Sequence, residues 1–555
     1  MSNLFDRRPV KVPNRSGFDM SHSNSFTASC GTLVPCHMDY LLPNDTVKLS
    51  VPNIQVQLPP MATDFYGFIE AKIETFFVPF RILYGGWREV ISPVLTSNGV
   101  DAASYVNFAR PCISITAGAP FPEYYDFLRP CSLGDYLGYS SIDVKDISAG
   151  GGVDSMDALV DIFPFLAYQM IYQEWYRDSR LQLPLFCHPG SYDSEQGNAN
   201  AAYLKCMPYS SFESDTNTSA RWTLSAIYGV MGALVDGSTI FDLRQRNWPK
   251  DYFTNASYQP QQGDAASVEI ADGEFTIASL RAANALQQFL ERMNVAGSRY
   301  QDVINVNYGI YPSDAVSQRP IYLGSMSVPV YTKSVYQTSN PITATASSNS
   351  SNPFNSVGSK YGASQAVGNG GLVRSFTATE HGILMSIFSL VPKPQYSGLM
   401  RKQLFAVGSD SIPYPTLAGI GDQSIMKSEL VGVCANSSGN DYDTVFGYTQ
   451  RYSEYKFQFD EVHGLLRDGQ SLSSFQLQRS FDDNVLLGSD FIQIPTDYLD
   501  QVAAVSGDVS KYGCWVDAYF NYKKVSTLPA YSIPTLEDAP SNGHYETFNL
   551  GGTRL

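Results

Sequence analysis

The chain has 555 residues, a formal net charge of −16, only 16% charged residues and 13% aromatic ones, with 36 Tyr and 31 Phe. A surface this acidic cannot coat a polyphosphate on all sides, so a general nucleic-acid coat is excluded and any such contact must be local. Scarce charge with abundant Tyr is the make-up of interface cores and equally of a Tyr-rich β-protein; composition leaves both open.

Residues 1–44 read as an irregular N-terminal arm rich in Ser, Asn, Pro and Gly. Its start is polar and basic and lacks the apolar core of a signal peptide. Arg7, Arg8, Lys11 and Arg15 outnumber Asp6 and Asp19 there. That surplus fits a solvated terminus or a local nucleic-acid contact. A β-domain is expected over 45–530 and a C-terminal tail over 531–555. "TVKLSV" alternates Val47, Leu49 and Val51 with polar residues, and "IEAKIETFFVPF" alternates Ile69, Ala71 and Ile73 with Glu70, Lys72 and Glu74. Period two predicts half-buried antiparallel strands, with Pro52, Pro59 and Pro60 breaking the run between them.

The middle of the chain changes character. Residues 157–178, "DALVDIFPFLAYQMIYQEWYRD", read as a helical insertion that starts or kinks at Pro164. Residues 276–293 read as the clearest helix, N-capped by Thr276, with Leu286, Phe289, Leu290 and Met293 on one core-facing stripe. The stretches 188–222 and 337–371 are Ser/Asn-rich and read as long surface loops. Strands return in the last third: the apolar run "GILMSIFSLVP", an alternating "EYKFQFDEV", and "KYGCWVDAYFNYKKV". Strands at both ends with helices between them predict one β-sandwich with large insertions.

The catalytic templates fail. The chain has no Walker-type phosphate loop, no GxSxG elbow, no HExxH and no GxGxxG, and its six histidines lie far apart. Cys30, Cys36 and His37 make at most half of a metal site, and none of the eight cysteines forms a CxxC pair. Reduced thiols suit synthesis in a cytoplasm. Asp482–Asp483 and the Asp441/Asp443 pair are adjacent acids, normally just solvated. No run of about 18 apolar residues occurs, so no membrane-spanning segment is expected. Expectation is therefore for no enzyme, cofactor or metal. The densest contact-making stretch is Gly297–Gly324, "GSRYQDVINVNYGIYPSDAVSQRPIYLG". Its Arg299, Tyr300, Tyr308, Tyr311, Arg319 and Tyr322 either brace the subunit's own insertion or meet a neighbouring subunit. A carbohydrate-binding β-sandwich on a cell surface and a glycosidase on a β-scaffold are the rival classes.

An ordered series of blocks resembles the major capsid protein of Microviridae, in its gokushovirus-like branch. It comprises "FDMSHSNSFTASCGTLVPCHMDYLLPNDTVKL", "FFVPFRILYGGW", "EWYRD", "KDYFTNASYQPQQG", the Gly297–Gly324 stretch, "EHGILMSIFSLVP" and "FGYTQRYSEYKF", from about residue 18 to 525. The resemblance implies a viral jelly roll, an eight-stranded antiparallel sandwich with long, partly helical insertions. It also implies self-assembly into a T=1 icosahedral shell around circular single-stranded DNA. Implied partners are a small basic DNA-binding protein, other minor virion proteins and a host-cell receptor met by surface loops. The virion shell is the implied location, after synthesis in a bacterial cytoplasm. Two features depart from the pattern. "DAASVEIADGEF" is short where relatives carry a long insertion that builds a three-fold protrusion, and Ser257–Tyr258–Gln259–Pro260 replaces the usual Pro-Trp.

Overall fold

The computed structural model describes residues 15–61, 65–84, 87–91, 128–139, 158–186, 234–261, 277–297, 299–336, 360–405, 412–432, 444–482, 484–504, 507 and 512–529. It adds four short strand pieces at 95–96, 104–105, 112–115 and 221–223. Nine strands form the principal sheet system: β1 Ser16–Asp19, β2 His22–Ala28, β3 Val34–Leu41, β4 Thr46–Gln57, β5 Ile69–Pro79, β6 Ile321–Tyr336, β7 Lys360–Thr377, β8 Gly382–Pro392 and β9 Cys514–Ser526. All their pairings are antiparallel. One layer runs β1 and β2 side by side on β9, then β4, then β7; the other runs β6, β5, β8, β3. β6 joins them, pairing with β5 as far as Val330 and with β7 from Tyr331 onward. This is the jelly-roll sandwich expected, with helical insertions.

Side-chain alternation builds the core between the layers. β9 turns Cys514, Val516, Ala518, Phe520 and Tyr522 inward and leaves Trp515 and Tyr519 outside. β5 buries Ile69, Ala71 and Ile73 and leaves Glu70, Lys72 and Glu74 half-buried, as its period of two predicts. β8 is buried along its whole length. Leu384, Phe388 and Leu390 face the inter-layer core, while Ile383, Met385 and Ile387 face a second core under the helical insertion. That second core is capped by α1, Phe163–Ile171, which starts with Pro164 in its first turn, where a missing N–H costs nothing. One turn of π-helix, Tyr172–Tyr176, follows it. A third core gathers Tyr252, Phe253, Tyr396, Phe446 and Phe491 from insertions on the C-terminal side.

Several expectations need correction. The arm over 1–44 is irregular only in expectation from Ser16 on: β1, β2 and β3 are strands. Their polar alternation hid them, because β1 and β2 are edge strands that half-expose Ser and Asn. Pro52 does not end β4. The register slips beside it on both partners, between Gly368 and Gly370 on β7 and between Tyr519 and Asn521 on β9, so the proline sits in a bulge where no ladder N–H is needed. The loop expected over 337–371 gives way to β7 from Lys360, and residues 221–223 at the end of the other loop are a short strand. "EYKFQFDEV" is a 3₁₀ turn at Ser453–Tyr455 followed by extended chain, with Tyr455 and Phe457 exposed and only Phe459 packed into the third core. Residues 188–220, 337–359 and 531–555, Thr276 and the acids Asp441, Asp443 and Asp483 lie outside the described residues.

Candidate subunit-contact surface

The Gly297–Gly324 stretch is a hinge and a hook. α2, Ile277–Ala296, is built from good helix formers and ends at Gly297, which holds φ +106°. α3, Tyr300–Tyr308, ends on Gly309 in the left-handed conformation (φ +69°), whose N–H returns to the Asn305 carbonyl at 2.8 Å. The chain then turns through 310–320 and enters β6 beside Gly324. A Cβ at Gly324 would lie 2.0 Å from the Leu372 carbonyl oxygen, so only glycine lets β6 and β7 approach there.

The two arginines point inward. Arg319 is 6% exposed, lies 3.7 Å from the Trp175 ring centroid, pairs with Asp314 at 3.4 Å and donates to the Gln301 side chain. Gln301, itself buried, donates to Ser317 Oγ at 2.6 Å and the Pro312 carbonyl at 3.3 Å. Trp175 donates its indole N–H to the Pro320 carbonyl at 3.0 Å. Arg299 donates to the Arg177 carbonyl at 2.6 Å and the Gln173 carbonyl at 3.3 Å. Both arginines therefore tie the hook to the π-helical turn of the same chain.

The tyrosines divide differently. Tyr322 rests on Phe76 and Trp175, with ring centroids 5.6 and 5.4 Å away. Tyr300, Tyr308 and Tyr311 are 68%, 75% and 61% exposed. Ile310 and Val316 stand out beside them in sequence. α2 was expected to turn the stripe Leu286, Phe289, Leu290 and Met293 into the core; of these Met293 is buried and Leu290 half-buried. Leu286 and Phe289 are exposed along with Ile277 and Leu280; Met293 and Asn294 alone are buried among its residues. The helix is held at its C-terminal end, where Asn294 donates to Ser257 Oγ at 3.1 Å and Asp422 at 3.3 Å. The stripe is there because amphipathic spacing put it there, but no other part of the described chain covers it. Sequence reasoning thus named the tyrosines and missed Ile277, Leu280, Leu286 and Phe289 as surface residues. Nothing in a helical stripe says whether its cover belongs to the same chain.

Elsewhere, Arg15 donates to Asn44 O and Thr46 Oγ1, both at 2.5 Å, and so anchors β1 to the sheet; Arg7, Arg8 and Lys11 lie outside the described residues. Cys30 and Cys36 are buried core residues, and the Cys36 thiol donates to the Ser386 carbonyl at 3.4 Å. His37 faces His22 at 3.3 Å and stacks on Phe520. Among the described residues no group of three or more His, Cys, Asp or Glu side chains is placed to hold a metal ion, and no helix is long and apolar enough to cross a membrane.

A folded chain with packed cores and an apolar ridge that no other described residue covers is what an assembling subunit looks like. The family model described as capsid protein (F protein) matches residues 9–536. The chain belongs to that capsid protein family. Capsid protein VP1 of Chlamydia phage 1 is 26% identical, covering 97% of this chain and 98% of the relative. VP1 of Bdellovibrio phage phiMH2K is 23% identical over 96% and 97%. VP1 of Spiroplasma virus 4 is 25% identical over 47% of this chain and 45% of its own. These relatives bear out the Microviridae resemblance read from the ordered blocks. They favour a structural capsid protein, not an enzyme, over the carbohydrate-binding alternative. As a capsid protein it is part of the virion.

Proposed function

We propose that copies of this chain close into a T=1 icosahedral shell around a circular single-stranded DNA genome, and that the ridge formed by α2 and α3 is one of the contacts that closes it. The carrying observation is the exposure of Leu286, Phe289, Tyr300, Tyr308 and Tyr311 on elements pinned from behind by Arg299 and Arg319. Folded monomers rarely leave apolar patches of more than a few hundred Å² uncovered. A shell needs ring-closing contacts at five-fold and three-fold axes and self-complementary ones at two-folds. Each buries on the order of 1,600 Å². Tyrosine on a braced scaffold suits such a contact, because it offers area and a directional hydroxyl at little cost in side-chain entropy.

The net charge of −16 assigns most neutralisation of the genome to a separate small basic protein. Arg7, Arg8 and Lys11, leading into the anchored Arg15, add a local cationic strand for the inner surface. The polar segments 188–220 and 337–359 are where a host receptor and minor virion proteins would be met. Synthesis belongs to the bacterial host cytoplasm. Electron microscopy of the purified protein tests the shell directly. Leu286→Ser with Phe289→Ser should give folded, soluble subunits that form no shells; shells of normal yield would remove the ridge from the assembly. Deleting residues 2–14 should lower the DNA content of particles, and unchanged content would rule out the arm as a genome contact.

A further inference from the structure

A cleft of about 470 Å³ opens where the π-helical turn, the loop 246–255 and the α2–α3 hinge meet. Its wall carries Lys72, Arg177, Arg180, Arg246, Lys250 and Arg299 against only Asp178 and Asp302, in a chain whose net charge is −16. Some of these cations are already neutralised. Arg246 pairs with Glu74 at 2.7 Å, Lys72 pairs with Glu70 at 2.9 Å, and Asp178 is shared by Lys250 and Arg180.

Arg177 and Arg299 are not. Arg177 donates to the Gln182 carbonyl at 2.8 Å, and Arg299 donates to the Arg177 and Gln173 carbonyls. Neither makes an ion pair with a carboxylate among the described residues, and each keeps a buried Nε–H without a partner. Burial and then the charge of Arg299 push the Arg177 guanidinium down from its usual range. Burial does the same to Arg299, opposed by the nearby Glu174 and Asp302. Two half-buried guanidinium groups that repel each other, with Glu174 and Asp302 near but no carboxylate in ion-pair contact among the described residues, leave their planar forks to match the oxygens of a phosphate. The lining also carries apolar surface, from Val295, Pro249 and Val391. The volume is far larger than a lone phosphate needs and falls in the range of small-molecule sites.

We propose that this cleft binds a nucleotide of single-stranded nucleic acid, with Arg177 and Arg299 holding its phosphate and Val295 with Pro249 flanking its base. The choice of a genome nucleotide over free phosphate rests on the genome-enclosing reading above; the phosphate site itself does not. Asp302 borders the site, where burial raises its carboxyl and Arg299 and Arg319 oppose that shift.

The test uses unassembled full-length subunits, so its outcome is separable from shell formation. A fluorescent oligothymidylate of about eight nucleotides, dTMP and inorganic phosphate are the probes. Oligothymidylate should bind with an affinity that falls as salt rises, and dTMP should compete with it better than phosphate. Val295→Glu puts a carboxylate into the cleft from an exposed position, so it should fold normally and weaken oligothymidylate binding about ten-fold or more. Arg299→Gln should weaken it and flatten the salt dependence by roughly one phosphate contact. Lys523→Gln, on the distant sandwich face, should leave it unchanged. Undiminished binding by Val295→Glu, or competition by phosphate with no binding of oligothymidylate, would overturn the proposal.

Discussion

β8 and α2 each present apolar side chains in a regular pattern, and the fold treats them in opposite ways. Gly382–Pro392 lies buried on both faces, because the inter-layer core covers one side and the helical insertion the other. Ile277–Ala296 shows Ile277, Leu280, Leu286 and Phe289 to the outside and is gripped near Met293 and Asn294 and where Gln287 donates to Gln261 at 2.7 Å. Hydrophobic spacing therefore states that a face will be covered and is silent on who covers it. In a chain that folds alone the cover is intramolecular; in a shell subunit part of it is supplied by neighbours.

The contrast can be broken by substitution. Phe388 is fully buried in β8 and meets Phe26 edge-on at 5.3 Å across the sandwich. Phe388→Ala should cost about 3–5 kcal/mol and leave little soluble protein, read by denaturant unfolding and soluble yield. Normal stability would mean that the two-layer core is not where the fold energy resides. Arg319→Ala should come next, at about 2–4 kcal/mol. It removes a buried cation from the face of Trp175 and takes the arginine partner from Asp314 and from the Gln301 side-chain oxygen. Insoluble or destabilised subunits fit that bracing role; fully stable subunits that merely fail to assemble would move Arg319 to the interface.

Most of the sandwich was legible because strand periodicity is local. The alternations in β4, β5 and β9, and the unbroken run in β8, follow from which faces each strand buries. β1 and β2 escaped notice because edge strands bury little, so Ser23 and Ser25 carry no apolar signal. The false strand at Tyr455–Phe459 had the right period but pairs with no strand among the described residues, and of its aromatics Phe459 serves a loop-built core instead. Of the contact surface, the sequence revealed the density of Tyr and Arg. It could not reveal that Arg299 and Arg319 turn in while Tyr300, Tyr308 and Tyr311 turn out, since that division depends on Trp175 and the π-helical turn about 125 residues away.

A pH measurement separates the internal packing from the outer ridge. His37 is buried against His22, Phe520 and Tyr522, and its Nε2 has no partner. Burial, with His22 adding to it, lowers its pKa to about 3 from an ordinary 6.5. The folded state keeps the ring neutral while the unfolded state protonates it below about pH 6.5, so the unfolded chain binds more protons in that window. Stability should therefore fall as pH drops from 6.5 toward 3, by roughly 1 kcal/mol per pH unit from this group. His37→Phe should flatten that slope between pH 6 and 4 in denaturant titrations. An unchanged slope would assign the acid sensitivity to groups other than His37.

The smallest effect on the subunit should come from Tyr308→Ala, and it is the sharpest test of the comparison. Tyr308 is three-quarters exposed at the end of α3, and the side chain supports nothing behind it that Gln301 and Arg319 do not already hold. Its removal should change subunit stability by less than about 0.5 kcal/mol, as for any exposed side chain outside the core. If the ridge is covered by a neighbour, the same substitution should raise the protein concentration needed for shells about ten-fold, the weight of one buried aromatic anchor at each repeated contact. Light scattering against concentration reads the second number and urea unfolding the first. A destabilised subunit would place Tyr308 in the chain's own packing, and an unmoved assembly threshold would leave the exposed stripe of α2 and α3 without its cover.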